Sequence, residues 1–210
     1  HRDLHSFPTR RSSDLISFAN DGTLTLGTSG GTQTYNGGLT TTSVGGTVTV
    51  NGTIASSDDV IVLGAVTLGS NTTIDTNSTT TNRADITLGA VTGGNNTLTL
   101  TTENNIANAN VTASGNISGV TTFTLASVGG TATLTADVDV STLTVDNTVA
   151  NVNFSGNGSS VTNAVSFAND GTLILGTSGG TQTYNGGLTT TNVAGTVTLN
   201  GTIATTNDAV

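Results

Sequence analysis

Short stretches in which polar and apolar residues alternate recur along the chain; clear examples are residues 23–26, 85–88, 97–100, 122–125 and 142–145. Alternation with a period of two sends the apolar side chains to one face of a β-strand and the threonines to the other. Turn-forming pairs such as Asn51-Gly52 and Gly93-Gly94 lie between these stretches. We find no window of about eleven residues with the apolar spacing of a helix. The pattern predicts an all-β chain of short strands.

A long internal repeat organises these strands. Residues 16–59 and 165–208 align with an offset of 149 residues, and 36 of the 44 aligned pairs are identical. Such near-identity predicts a recent duplication, and we expect a parent chain with more copies, of which this sequence is a fragment truncated at both ends. We predict a first repeat unit over residues 16–164 and the start of a second, truncated unit over residues 165–210. At about 20 residues per coil, one unit would hold about seven coils.

The first fifteen residues, HRDLHSFPTRRSSDL, resemble the translation of a sequencing-library adapter. We therefore predict that residues 1–15 are a non-native, disordered segment, and such segments carry no information on a fold. Both histidines, the single proline and three of the four arginines lie in this segment.

The composition of residues 16–210 excludes several functional classes. This stretch has no Cys, Met, Trp, His, Lys or Pro, and its eleven acidic residues and one basic residue, Arg83, give a formal charge of −10. Nucleic-acid binding requires Lys and Arg to neutralise phosphates, so we predict no nucleic-acid partner. No apolar run approaches the ~18 residues of a membrane-spanning helix, so we predict no transmembrane helix.

Two all-β architectures fit the predicted strands. Asn-Gly and Asp-Gly turns are typical of hairpins, which would build tandem β-sandwich repeats. A β-solenoid would instead stack one coil on the next. A sandwich has a thick core that normally carries aromatic residues, whereas residues 16–210 contain four Phe, two Tyr and no Trp. We therefore predict a parallel β-helix, that is, a β-solenoid of ~20-residue coils, and keep the sandwich as the alternative.

Three segments of the sequence resemble a known family. They are residues 46–54, 85–92 and 136–140, which read GTVTVNGTI, DITLGAVT and ADVDV. They resemble the repeats of filamentous-haemagglutinin-like exoproteins and related giant bacterial surface adhesins. The resemblance implies a right-handed parallel β-helix located outside the cell, at the exterior of a Gram-negative outer membrane. It also implies adhesion to host or surface glycans, to proteins or to neighbouring cells. It transfers no functional residue to this chain.

Catalytic chemistry is poorly represented in residues 16–210. General acid–base and nucleophilic catalysis rely mostly on His, Cys, Lys and paired carboxylates, and the first three types are absent. We predict a non-catalytic chain without a cofactor, namely the structural repeat region, or stalk, of a secreted or cell-surface adhesin. Two alternatives stay open: a carbohydrate- or ice-binding β-solenoid module, and a β-helical enzyme that acts on polysaccharides.

Three kinds of side chain are candidates for binding. Asp137, Asp139 and Asp146 are weak candidates for a Ca²⁺ site, because Ca²⁺ prefers oxygen ligands, although we expect them to be ordinary solvated acids on the surface of the solenoid. Thr-x-Thr stretches are typical of ice-binding faces, but their uneven spacing favours ordinary outward-facing threonines. Tyr35 and Tyr184 occupy equivalent positions in the two copies, either as a sugar-stacking platform or, as we expect, packed at a corner of a coil.

Overall fold

The structure is a computed structural model that describes residues 14–77, 84–103 and 107–210. The segment predicted to be non-native lies outside these ranges except for Asp14 and Leu15, and Arg83 also lies outside them.

The described residues contain twenty-two strands. They are β1 (Ile16–Ser17), β2 (Leu24–Leu26), β3 (Thr32–Tyr35), β4 (Leu39–Thr40), β5 (Val48–Ser56), β6 (Ile61–Leu63), β7 (Val66–Asp75), β8 (Ile86–Leu88), β9 (Val91–Thr92), β10 (Leu98–Thr101), β11 (Val111–Ala113), β12 (Ile117–Ala126), β13 (Thr131–Leu134), β14 (Val138–Val145), β15 (Asn151–Phe154), β16 (Ser160–Val161), β17 (Val165–Ser166), β18 (Leu173–Leu175), β19 (Thr181–Tyr184), β20 (Leu188–Thr189), β21 (Val197–Leu199) and β22 (Thr202–Ala204).

Parallel pairing between successive coils builds three faces, each formed by one strand segment from every coil. Face 1 is a nine-stranded sheet of β1, β4, β6, β8, β11, β13, β15, β18 and β21. The long strands β5, β7, β12 and β14 run along face 2 and continue along face 3. Face 2 is completed by β2, β9, β16, β19 and β22, and face 3 by β3 and β10. The two-stranded sheet of β17 and β20 extends face 3, because Phe167 bridges to Val145 at the end of β14.

The apolar positions of each strand point inward and stack in columns along the solenoid. One column on face 3 comprises Ile54, Ile74, Leu100, Leu125, Val145 and Phe167, each paired in register with the next. All six side chains are at most 4% exposed. Because every coil repeats this arrangement, one core runs the length of the described chain.

The corners between faces accommodate coils of different length. Successive strands of face 1 are 20 residues apart at Ala132 and Val152, and 25 apart at Ile61 and Ile86. At the bend within β5 the register shifts beside Gly52, which has a φ of 62°. Left-handed backbone of this kind favours glycine.

The predicted all-β parallel solenoid is confirmed, with stacked coils of about 21 residues. All strand pairings among the described residues are parallel, whereas the hairpins of a sandwich would pair antiparallel. Nine strands on face 1, spaced at about 4.8 Å, extend the core over about 40 Å. The boundary between the repeat units, at residue 165, falls inside this core, where Val161 and Val165 are both buried.

Candidate functional site

The first two calcium candidates bind the backbone of the neighbouring coil. Asp137 immediately precedes β14, and its Oδ1 accepts the backbone N–H of Gly158 at 2.6 Å. Asp139 lies within β14, and its Oδ1 accepts the backbone N–H of Ser160 at 3.1 Å. Both donors lie 21 residues further along the chain, one coil away. Each carboxylate therefore has a structural role in holding two coils together on face 2.

Asp146 lies beyond the other end of β14, at the corner after face 3. Its Oδ1 accepts the backbone N–H of Thr148 at 2.9 Å and also the Thr148 hydroxyl. Ser127 of the preceding coil donates its backbone N–H to Asp146 Oδ1 at 3.5 Å. Within residues 14–77, 84–103 and 107–210, no three His, Cys, Asp or Glu side chains are grouped closely enough to hold a metal ion.

A related set of side-chain bonds joins the coils at the start of face 1. Asp85 Oδ1 accepts the N–H of Asn110 at 2.8 Å, and Asn110 Oδ1 accepts the N–H of Thr131 at 2.8 Å. Further along, Asn151 Oδ1 accepts the N–H of Thr172 at 2.9 Å. Sequence reasoning did not identify these bonds, although an Asn or Asp at or just before a strand in successive coils was a visible signal.

A column of threonines runs along the outside of face 3. Its members pair in register from one strand to the next; they are Thr32, Thr53, Thr73, Thr99, Thr124 and Thr144. Adjacent members are about 4.8 Å apart along the solenoid. On β12 and β14 a second pair, Thr122 beside Thr142, lies two residues away in the same register. The corners between faces differ in length and accommodate the uneven spacing seen in the sequence, so the threonines align on face 3.

The outer columns of the other two faces are more mixed. On face 1 the outward residues run Thr40, Val62, Thr87, Thr112, Thr133, Asn153, Ile174 and Thr198. On face 2 four threonines, at positions 25, 49, 67 and 92, are followed by Ser118, Asp139 and Ser160. Face 3 thus carries the longest uninterrupted threonine column among the described strands.

An open groove of about 290 Å³ lies where faces 2 and 3 meet in the central coils; its lining residues are Asn95, Gly119, Val120, Thr121, Asp139, Val140, Ser141, Ser160 and Thr162. The lining contains one carboxylate, Asp139, whereas most glycoside hydrolases use a pair. That carboxylate already accepts the N–H of Ser160.

Both tyrosines are packed inside the core, as expected for corner residues, and neither presents a ring to a sugar. Tyr35 is 5% and Tyr184 1% exposed. Tyr184 meets Phe154 edge to face at 6.5 Å between ring centroids, and its hydroxyl donates to Gln182 Oε1 at 3.1 Å. Gln182 in turn donates from Nε2 to the backbone oxygen of Phe154 at 2.8 Å. Burial raises the pKa of the Tyr184 hydroxyl well above its usual range.

Asp75 is half-buried at the end of β7 on face 3. Burial raises the pKa of its carboxyl, and the backbone N–H of Asn77, 2.7 Å from Oδ1, partly opposes that rise. Because the fold favours the protonated carboxyl, the stability owed to Asp75 decreases as the pH rises through its folded pKa.

No protein-family model, curated protein or solved structure matches this chain. In the part of the chain that the structure describes, no helix is both long and apolar enough to cross a lipid bilayer.

Proposed function

We propose that this chain is part of the stalk of a secreted or cell-surface bacterial adhesin, located outside the cell. The observation that carries the proposal is the continuous column of buried side chains from Ile54 to Phe167, which crosses the start of the second repeat unit at residue 165. Adjacent repeat units therefore share one core and form a single rod. A stalk needs this property, because units joined only by linkers would not hold a tip away from a surface.

The last strand of face 1, β21, carries an apolar side chain that a further coil could cover. Leu199 on β21 is 53% exposed, whereas its counterpart Val50 is fully buried beneath Leu68 of the next coil. A coil stacked on β21 would bury Leu199 as β7 buries Val50. The formal charge of −10 over residues 16–210 suits an extended rod, because like charge keeps neighbouring rods apart. The resemblance to haemagglutinin-like exoproteins agrees with this role.

Arrays of one, two and three copies of residues 16–164 test the rod directly. Each added unit is expected to lengthen the rod by about 32 Å, because the 149 residues of a unit form between six and seven coils that stack at about 4.8 Å. Contour lengths measured by electron microscopy or atomic force microscopy check the increment. The same arrays, placed between an outer-membrane anchor and a tip domain of known ligand, should raise the tip by equal steps.

A rod whose length does not grow with unit number, or units that appear as separate globules, would contradict the stalk. Arrays without a tip domain provide the functional control. If such arrays make cells adhere as strongly as tipped arrays do, the repeat itself is the binding element and a stalk role is wrong.

The threonine column of face 3 favours a second candidate function, an ice-binding module. Six outward threonines in register place hydroxyl and methyl groups at a regular repeat on a rigid sheet. Such an array can order water in a lattice-like layer. An enzyme or a plain stalk has no need of this regularity, although solvent-facing threonine is also a common residue on strands.

Substituting Thr124 by lysine at the centre of that column tests the second candidate. If face 3 binds ice, the native chain slows ice growth, and T124K loses most of this effect because a long charged side chain interrupts the array. Thr112 on face 1 has the same outward orientation, so T112K is the matched control and should keep the effect. An ice-growth assay in which the native chain is inactive rejects the candidate, and pull-down with insoluble polysaccharides detects the carbohydrate alternative.

A further inference from the structure

The two copies of the repeated sequence occupy different faces of the solenoid. In the first copy β1 lies on face 1, β2 on face 2 and β3 on face 3. Their counterparts in the second copy, 149 residues later, are β17, β18 and β19. These lie on face 3, face 1 and face 2 respectively. Each segment has therefore moved by one face between the copies.

The strand count gives the size of the displacement. Seven strands of face 1, from β1 to β15, bound six complete coils. After β15 the chain passes along face 2 as β16 and reaches face 3 as β17, where the second copy begins. One 149-residue unit thus contains six coils and two further faces. The sequence-based expectation of about seven coils is a third of a coil too high, because it assumed ~20 residues per coil, whereas successive strands of face 1 are 20 to 25 residues apart.

The same side chains point inward in both copies although the faces differ. Leu26 on face 2 and its counterpart Leu175 on face 1 are both buried. Leu39 on face 1 and its counterpart Leu188 on face 3 are also buried. The repeated sequence is therefore compatible with any of the three faces, since each requires only an alternating strand with its apolar side inward.

We propose that successive repeat units are related by a screw operation of two thirds of a turn and a rise of about 32 Å along the rod. A given surface of the unit then lies on a different face in each of three successive units. It returns to its starting face after three units, which together contain twenty coils. This inference rests on the stalk function only for its consequence, namely which surface the stalk presents in each direction. It follows from the strand register alone.

The screw changes what a partner meets on the rod. The threonines at positions 32 and 53 belong to the column of face 3, whereas their counterparts Thr181 and Thr202 pair with each other on face 2. A flat partner lying against one side would meet equivalent surfaces only at every third unit, about 96 Å apart. Partners that surround the rod would meet an equivalent surface at every unit. The array is therefore suited to partners on all sides.

Pairs of cysteines at outward positions of the full chain test the screw, because the chain has no cysteine of its own. Asn153 and Ile174 are register partners on face 1. Val145 and Phe167 form a parallel bridge, so the residues that precede them, Thr144 and Ser166, are neighbours on face 3. Strand spacing of about 4.8 Å is within the Cα separation of a disulfide. Asn153→Cys/Ile174→Cys and Thr144→Cys/Ser166→Cys should therefore form intramolecular disulfides in most molecules under mild oxidation.

The pair Asn153→Cys/Ser166→Cys is the matched control. A second unit without rotation would place Ser166 on face 1 beside Asn153, as its counterpart Ser17 lies on face 1. Only a trace of disulfide is expected for this pair, as measured by peptide mapping without reduction. Efficient linkage of the control together with failure of Asn153→Cys/Ile174→Cys would overturn the screw. Circular dichroism of the reduced variants establishes that each is folded.

The outcome is independent of the stalk proposal. Cross-links that follow the screw, in a chain whose arrays fail to lengthen, would keep the screw and reject the stalk. Arrays that lengthen with every added unit, with the control pair linked, would keep the stalk and reject the screw.

Discussion

Replacing Phe167 with alanine is expected to lower the free energy of unfolding by about 3–5 kcal/mol, the usual loss for a fully buried phenylalanine. The same replacement of Phe18, its counterpart in the first copy, is expected to lower it by only about 1 kcal/mol, since less apolar area is removed from water in the fold. Denaturant unfolding followed by circular dichroism, with hydrogen exchange to locate the weakened coils, measures both losses.

The two phenylalanines differ in their neighbours and hardly at all in their local sequence. Both occur in the segment Ser-Phe-Ala-Asn-Asp-Gly-Thr-Leu. Each donates its backbone N–H to a carbonyl oxygen of the following coil, at 2.9 Å for Phe167 and 3.0 Å for Phe18. Phe167 is fully buried, because Val145 of the preceding coil covers its other side. Phe18 is half-buried and packs edge to face on Tyr35 at 6.4 Å.

The comparison therefore separates the contribution of the surrounding coils from that of the local sequence, because the two phenylalanines lie on different faces and pack against different side chains. A solenoid gains its stability from such nearest-neighbour contacts, and terminal coils lack one neighbour. Equal losses for the two variants would mean that the local sequence, and not the stacking, determines the stability of a coil.

The inward and outward sides of the strands could be predicted from the sequence, whereas their neighbours across coils could not. Alternation at Thr99 and Leu100 correctly placed the leucine inside and the threonine outside. A period of two contains no information on which residue of the next coil pairs with Thr99. That partner, Thr124, is set by the length of the corner between them. The threonine column and the rotation of the repeat unit were both missed for this reason.

The residues of the candidate site could be predicted from the sequence, but the hydrogen bonds that they make could not. Asp137 and Asp139 were singled out as calcium candidates because carboxylate oxygens suit Ca²⁺; Asp139 lies within β14 and Asp137 just before it. Their acceptor roles toward Gly158 and Ser160 depend on a parallel pairing that brings residues 21 positions apart in the chain side by side. The calcium site stays a prediction, whereas the role of these carboxylates between coils follows from their bonds.

Replacing Gly52 with alanine is expected to lower the free energy of unfolding by at least ~3 kcal/mol, because two costs add at the bend of β5. The φ of Gly52 is 62°, and left-handed backbone costs a residue with a Cβ about 1–2 kcal/mol. A Cβ at this position would also overlap the carbonyl oxygens of Thr28 and Gly31 in the preceding coil. The second of these oxygens accepts the N–H of Thr53 at 2.8 Å, so it cannot move away without loss of that bond.

Gly30 provides the matched control, because it has a similar φ of 70° but no atom lies within 4 Å of a Cβ placed there. The Gly30→Ala variant should lose only the conformational cost, about 1–2 kcal/mol. Urea unfolding of both variants measures the difference, which reports the close approach of two coils where face 2 turns into face 3. If the two variants lose equal stability, the coils are not in contact at this bend. The corner would then be held by glycine conformation alone, and the uneven coil lengths would need another way to keep the faces in register.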